Sequence, residues 1–352
     1  AIPTIAAPLG VSFFTFLAVS YLVDVARGAC AAERNPARLA LYFTAFPKFL
    51  QGPLTRYSAL QTALFPARPG WDAAARGAER ICVGLGKKLL LATAAQGAAE
   101  KLLDTGVISC PAAWLGAACY ALQIYFDFSG YTDMAIGLGA LFGLNLPENF
   151  NYPYCAQSIT DFWRRWHMTL SQWFRDYIYI PLGGSRRGEP RQVLNLLIVW
   201  ALTGLWHGAS WNFALWGLYF AVLLIVEKFV LAKLLNRLPA FFRHVYALFF
   251  ILLGWVLFRT EDFSRLAALL RTLFTGAAAV TAEPFVFVLR QYGIELLLGA
   301  FFCTPLGKRL LETLDRTRFG RVVKYVLLLA IFALALLALV RSGVNAFIYA
   351  QF

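Results

Sequence analysis

The sequence predicts an all-α integral membrane fold, crossing the bilayer several times through broken or re-entrant helices with interfacial amphipathic segments. Three observations carry this reading. Of 352 residues, 60% are hydrophobic and 14% charged, whereas soluble domains carry roughly 25% charged residues. Apolar stretches recur at 9–26, 81–99, 112–126, 134–146, 192–206, 209–226, 245–258, 285–303 and 322–340. Several are shorter than the ~20 residues of a straight span. Gly and Pro interrupt them, and irregular backbone at membrane depth needs protein or a watery cavity around it.

In chain order, the opening AIPTIAAPLG begins at Ala1 without the basic start and cleavage pattern of a signal peptide. The natural N-terminus is therefore expected upstream. No repeat or low-complexity linker divides the chain, so one membrane domain is expected over 1–352, with basic loops at 27–38, 66–80, 227–243 and 304–324. Between Ala45 and Tyr57, Pro47 and Pro53 forbid a regular helix. The 32 Lys and Arg against 19 Asp and Glu give a net charge of +13. These cations lie between apolar segments, a pattern that suits cytoplasmic loops facing anionic lipid and not a nucleic-acid surface.

Tyr125 to Asn151 carries two carboxylates, Asp127 and Asp133, on either side of an expected break at Ser129-Gly130. Unpaired carboxylates in apolar surroundings are costly, so each should find a cation. A structural ion pair with the basic stripe that follows is the first reading, and a catalytic acid the second. That stripe lies in the segment Asp161 to Arg191, read as an amphipathic interfacial helix. At 100° per residue Phe162, Trp166, Leu170, Trp173 and Tyr177 share one side, while Arg164, His167, Ser171 and Arg175 share the other. Its tryptophans should sit in the headgroup layer, and its cations should face a cavity, phosphates or lipid. Anchoring and substrate binding are both open for Arg164, Arg165, Ser171 and Arg175.

From Gln192 to Val226 no Asp, Glu, Lys or Arg occurs, and His207 stands in the middle. This stretch of about 35 residues exceeds one span of about 20, so the chain is expected to bend near Gly204, Gly208 and Ser210. An ionisable side chain held at membrane depth is read first as a functional site, with a helix-packing histidine bonded to neighbouring backbone as the alternative. Trp206 and Trp211 pack the helices or shape an apolar slot, and Asn212 is placed to orient the imidazole. The chain has only three histidines, and His244 is assigned to a basic loop.

The six cysteines show no Cys-x-x-Cys pairing and read as small buried hydrophobes, with neither a zinc site nor a disulfide framework indicated. No Walker loop, nucleophile elbow or nicotinamide fingerprint is present. The remaining chemistry belongs to histidine. A neutral imidazole can take the proton of an acceptor hydroxyl as it attacks an activated acyl group. His167 or a neighbouring arginine can bind the developing oxyanion.

The strings PLGVSFFTF, GPLTRY, YFDFSGYTDMAIGLG, LPENFNYPY, ITDFWRRWHMTLSQWFRDYIYIPLGG and TGLWHGASWNF, with the ending NAFIYAQF, resemble the membrane-bound O-acyltransferases. Among these the likeness is to the alginate O-acetyltransferase branch. The resemblance implies a multi-helix fold around a funnel or tunnel, an essential histidine at His207, and a second polar site residue about 40 positions upstream, where His167 stands. It also implies acetyl-CoA as cytoplasmic donor, no bound cofactor, and O-acetylation of an exported polysaccharide such as alginate. A periplasmic SGNH-type partner and a multi-pass location in the bacterial inner membrane are implied as well. Family members carry roughly a hundred further residues before PLGVSFFTF, the length of ~3–4 spans. Transfer of acyl groups to lipid, or of D-alanyl groups to teichoic acid, is the alternative within enzymes. An ion-coupled transporter using Asp127, Asp133 and His207 is the alternative outside them, and a non-catalytic docking scaffold is a third.

Overall fold

A computed structural model describes residues 10–48, 51–61, 70–104, 109–275 and 283–342, which form helices joined by turns, with no strand among them. In order these helices are α1 (Val11–Ala26), α2 (Pro36–Thr44), α3 (Tyr57–Leu60), α4 (Trp71–Gly86), α5 (Thr93–Leu103), α6 (Cys110–Leu141), α7 (Ile159–Arg165) and α8 (Met168–Phe174). There follow α9 (Glu189–His207), α10 (Trp211–Val226), α11 (Ala232–Arg237), α12 (Ala240–Arg259), α13 (Phe263–Thr275), α14 (Glu283–Phe302), α15 (Leu306–Leu314) and α16 (Arg318–Ser342). Wide π-helical turns at Lys87–Ala92, Arg175–Tyr179 and Glu227–Leu231 extend α4, α8 and α10. The opening AIPTIAAPL and the ending NAFIYAQF lie outside the described residues.

The all-α membrane class is observed. Among the described residues, Ala240–Arg259, Phe285–Phe302 and Arg318–Arg341 are long and apolar enough to cross a bilayer. The other expected spans are redistributed. The stretch 81–99 lies in the continuous run of α4, its π turn and α5, and 192–226 lies in the α9–α10 hairpin. The stretch 112–126 and residues 134–141 of the next merge into α6, and the expected break at Ser129-Gly130 does not occur.

Gly130 instead lets two backbones touch. A Cβ on Gly130 would lie 2.8 Å from the Gly84 carbonyl oxygen, and one on Gly84 would lie 2.6 Å from that of Gly130. Seven residues away in each helix, Gly77 and Gly137 repeat the arrangement at 2.6 Å both ways. Small residues at such a crossing allow the close packing that holds helices together in lipid. The crossing also places cations beside both carboxylates. Lys88 pairs with Asp127, while Arg80 (2.9 Å) and Lys87 (2.6 Å) pair with Asp133. The supplier is thus α4 with its π turn, and not the stripe of residues 164–175 that the sequence suggested.

Basic content did not stop helices from forming, because Lys and Arg have good helix propensity. Residues 71–80 open α4, 227–243 hold a π turn, α11 and the start of α12, and 304–324 hold α15 and the start of α16. His244 accordingly lies in α12, where Nδ1 is 3.1 Å from the Ala156 carbonyl oxygen.

The single amphipathic helix expected from Asp161 is also corrected. It is α7, a break at Trp166-His167, then α8 and a π turn. His167 takes the left-handed conformation, φ 44° and ψ 54°. The cause is local: Asn149 accepts the amide N–H of Met168 at its carbonyl oxygen (2.9 Å) and that of Thr169 at Oδ1 (3.2 Å). A continuous helix would have bonded those donors to Arg164 and Arg165. The break cancels the wheel, so Phe162, Trp166, His167, Leu170 and Trp173 are all buried. Trp166 and Trp173 are core residues, not headgroup anchors.

Candidate active site

The bend near His207 is present. α9 ends on His207, Gly208 turns the chain at φ 154° and ψ 170°, and α10 restarts at Trp211. This backbone region is open essentially to glycine alone, and a Cβ on Gly208 would lie 2.8 Å from the Phe213 ring. The two arms of the hairpin pack closely through glycine. Cβ atoms on Gly204 and Gly217 would lie 2.5 and 2.4 Å from the carbonyl oxygens of Phe213 and Trp200. His207 is thereby fixed at the end of a rigid arm.

Its ring lies among aromatic side chains: Trp206 at 4.5 Å, Trp216 at 5.0 Å edge-on, and Phe258 at 5.1 Å edge-on. The His167 ring meets Phe128 edge-on at 4.7 Å and Trp206 at 6.1 Å. The two imidazoles, 3% and 5% exposed for His167 and His207, line one cavity of about 810 Å³. Arg164, Ser171 and Arg175 line it too. The residues forty apart in sequence are therefore brought into one site.

Five expected site residues lie outside the cavity lining. Arg165 pairs with Asp161 across one helical turn at 2.7 Å and does not line the cavity. Trp206 meets both histidine rings and also packs on Phe13 and Phe16. Asn212, fully buried, donates Nδ2 to the Phe258 carbonyl oxygen at 2.8 Å and so ties α10 to α12. Asp127 and Asp133 lie in the α4–α6 ion pairs, outside the cavity lining.

The charge of the cavity is graded. Arg164, Arg175 and Lys228 are exposed on its wall and Arg243 is half-buried, whereas the histidines are deep. Arg175 is partly compensated by Asp176 at 2.7 Å. Among the described residues no carboxylate pairs with Arg164, Lys228 or Arg243. Glu227, also in the wall, is engaged by backbone, accepting the N–H groups of Ile159 (2.6 Å) and Thr160 (2.9 Å) at the start of α7. Two indole donors in the wall, Nε1 of Trp163 and of Trp216, have no hydrogen-bond partner among the described residues.

Sequence reasoning missed Glu227, Lys228 and Arg243, as well as Asn149 behind His167. Glu227 had a signal, since it closes the charge-free stretch that drew attention to His207. Asn149 had only its place in LPENFNYPY. No local pattern reveals that a loop amide caps a break twenty residues downstream.

Comparison with known proteins agrees with the sequence resemblance. The family model for the membrane-bound O-acyltransferases matches residues 32–258. The probable alginate O-acetylase AlgI of Azotobacter vinelandii is 41% identical over 255 residues, covering 72% of this chain and 51% of that protein. The probable alginate O-acetylase AlgI of Pseudomonas putida is 35% identical over 366 residues, covering 98% of this chain and 75% of that protein. The peptidoglycan O-acetyltransferase of Helicobacter pylori is 35% identical over 286 residues, covering 72% and 54%. The chain thus spans about half to three quarters of the length of these relatives. It belongs to the membrane-bound O-acyltransferase family.

Proposed function

We propose that this chain forms the transfer core of an O-acyltransferase that passes acetyl groups from cytoplasmic acetyl-CoA across a bacterial inner membrane toward O-acetylation of an exported polysaccharide such as alginate. One observation carries the reading: a single cavity joins exposed cations to two buried imidazoles. The cations suit the phosphates of a nucleotide thioester. The aromatic depth suits the uncharged acyl end.

In this reaction His207 takes the proton of an acceptor hydroxyl while its oxygen attacks the thioester carbonyl. The carbon–sulfur bond then breaks, and the CoA thiolate leaves with a proton. No covalent enzyme intermediate is required. General base catalysis of this kind contributes ~10²–10⁴ in rate. The oxyanion formed on the carbonyl needs a hydrogen-bond donor, and the indole N–H groups of Trp216 and Trp163, buried and without a partner among the described residues, are the proposed donors. A periplasmic SGNH-type partner would complete delivery to the sugar.

The test is transfer of labelled acetyl from acetyl-CoA in proteoliposomes holding the full-length protein, its partner and acceptor. Wild type is expected to consume label and His207→Ala to lose it. Equal turnover by His207→Ala would overturn the assignment, and preference for a long acyl or D-alanyl donor would move the reading to the other acyltransferase class.

A further inference from the structure

Asn149 and Thr169 lie behind the second imidazole and have no part in the scheme above. Their hydrogen bonds form an oriented chain. The amide N–H of Leu54 donates to Thr169 Oγ1 at 3.1 Å. With that lone pair engaged, the Thr169 hydroxyl donates onward to Asn149 Oδ1 at 2.9 Å. The amide N–H of Thr169, which can only donate, reaches the same Oδ1 at 3.2 Å. This fixes Oδ1 as the carbonyl oxygen of the Asn149 side chain, because the opposite orientation would set an NH₂ against an N–H. His167 Nδ1 stands 3.1 Å from that oxygen.

We infer that Asn149 is a positioning residue that holds His167 as the Nδ1–H tautomer, so that Nε2 is the hydrogen-bond-accepting atom of the site's second imidazole. A carbonyl oxygen cannot donate, so the contact exists only if Nδ1 carries the hydrogen. Nε2 then bears the lone pair, and it has no protein partner among the described residues. The substrate group that meets it must be a donor, a hydroxyl or an amide N–H. It is not the carbonyl oxygen of a thioester, and the oxyanion role considered for His167 from sequence passes to the indoles.

The same contacts explain why the ring stays in place. Asn149 is 1% exposed and Thr169 3% exposed, and Asn149 also binds the Met168 amide that follows His167. Three separated segments, around Leu54, Asn149 and His167, meet at this point. Its catalytic consequence rests on the transferase reading, but the tautomer itself does not.

This chain has three histidines, so its ring-¹⁵N histidine labelling in nanodiscs gives a tractable spectrum, assigned with His207→Gln and His244→Gln. His167 is expected to show protonated Nδ1 and unprotonated Nε2 at neutral pH. Asn149→Asp keeps an acceptor at that position and should keep the tautomer, while Asn149→Leu should lose it. In the acetyl-transfer assay Asn149→Leu should lower kcat roughly tenfold or more, as tautomer loss does in other imidazole sites, with KM for acetyl-CoA within about twofold. Asn149→Asp should restore most of the rate. A wild-type spectrum with Nε2–H, or one unchanged by Asn149→Leu, overturns the inference, and so does an unaltered kcat in that variant. If wild type transfers no acetyl group the functional reading fails, and the spectrum still decides the tautomer.

Discussion

Lys88 and Asp127 form an ion pair that is closed off on both sides, their side chains 8% and 3% exposed. The pair bridges the π turn after α4 to the middle of α6, about one helical turn from the Gly84–Gly130 contact where the two backbones meet. Close backbone packing and charge pairing thus act at one crossing, and each requires the other to be in register.

Removing one member strips the other buried charge of this partner, and breaking a buried pair typically costs about 3–5 kcal/mol. Asp127→Ala and Lys88→Ala are therefore expected to lower the unfolding midpoint in detergent sharply. The double variant Lys88→Met with Asp127→Leu removes both charges and should be more stable than either single variant. A double variant as unstable as the sum of the two would show that the charges do not act as a pair.

Trp216 is 1% exposed, and its Nε1 has no partner among the described residues. A buried donor without a partner costs about 1–3 kcal/mol, so Trp216→Phe should leave stability level or slightly raised. If the indole serves the oxyanion, the same variant should lose kcat by ~10²–10³. Loss of rate at unchanged stability is the expected signature, measured by turnover and thermal unfolding on one preparation. Unchanged turnover would pass the role to Trp163.

Much of this site was legible before any coordinates. The charge-free stretch around His207 predicted the bend, and His207 is buried beside it, because apolar runs and glycine position are one-dimensional signals that survive in sequence. His167 was legible by its rarity, and by the spacing from His207 that the family resemblance implies. What failed was periodicity across Asp161 to Tyr177, where an uninterrupted helical wheel was assumed. The break there is imposed by Asn149, eighteen residues upstream of His167, and no local propensity encodes it. Gly130 failed for a related reason. Glycine reads as a breaker in one dimension, and only the facing Gly84 shows that it serves close approach.

The cations on the cavity wall give a third prediction. Arg164→Glu with Lys228→Glu should raise KM for acetyl-CoA by about tenfold at low salt. The effect should shrink near 1 M salt, where the screening length falls to about 3 Å. Transfer from acetyl-pantetheine, which lacks the nucleotide phosphates, should respond little to either change. Equal loss with both donors would mean that the charges support the fold and do not bind the donor.

Glu227 is 5% exposed, and its two carboxylate oxygens accept the N–H groups of Ile159 and Thr160. These are unsatisfied donors at the first turn of α7, and a carboxylate there is favoured by the positive end of the helix as well. α7 carries Trp163 and Arg164 into the cavity wall, so this cap sets their position from the far side of the hairpin. Glu227→Gln keeps one acceptor, whereas Glu227→Ala strands both donors, at a cost of about 1–3 kcal/mol each. Unfolding midpoints followed by tryptophan fluorescence should fall in the order wild type, Gln, Ala, and the KM for acetyl-CoA should rise in the same order as Arg164 loses its support. An alanine variant with the wild-type midpoint and KM would remove Glu227 from any part in shaping the site.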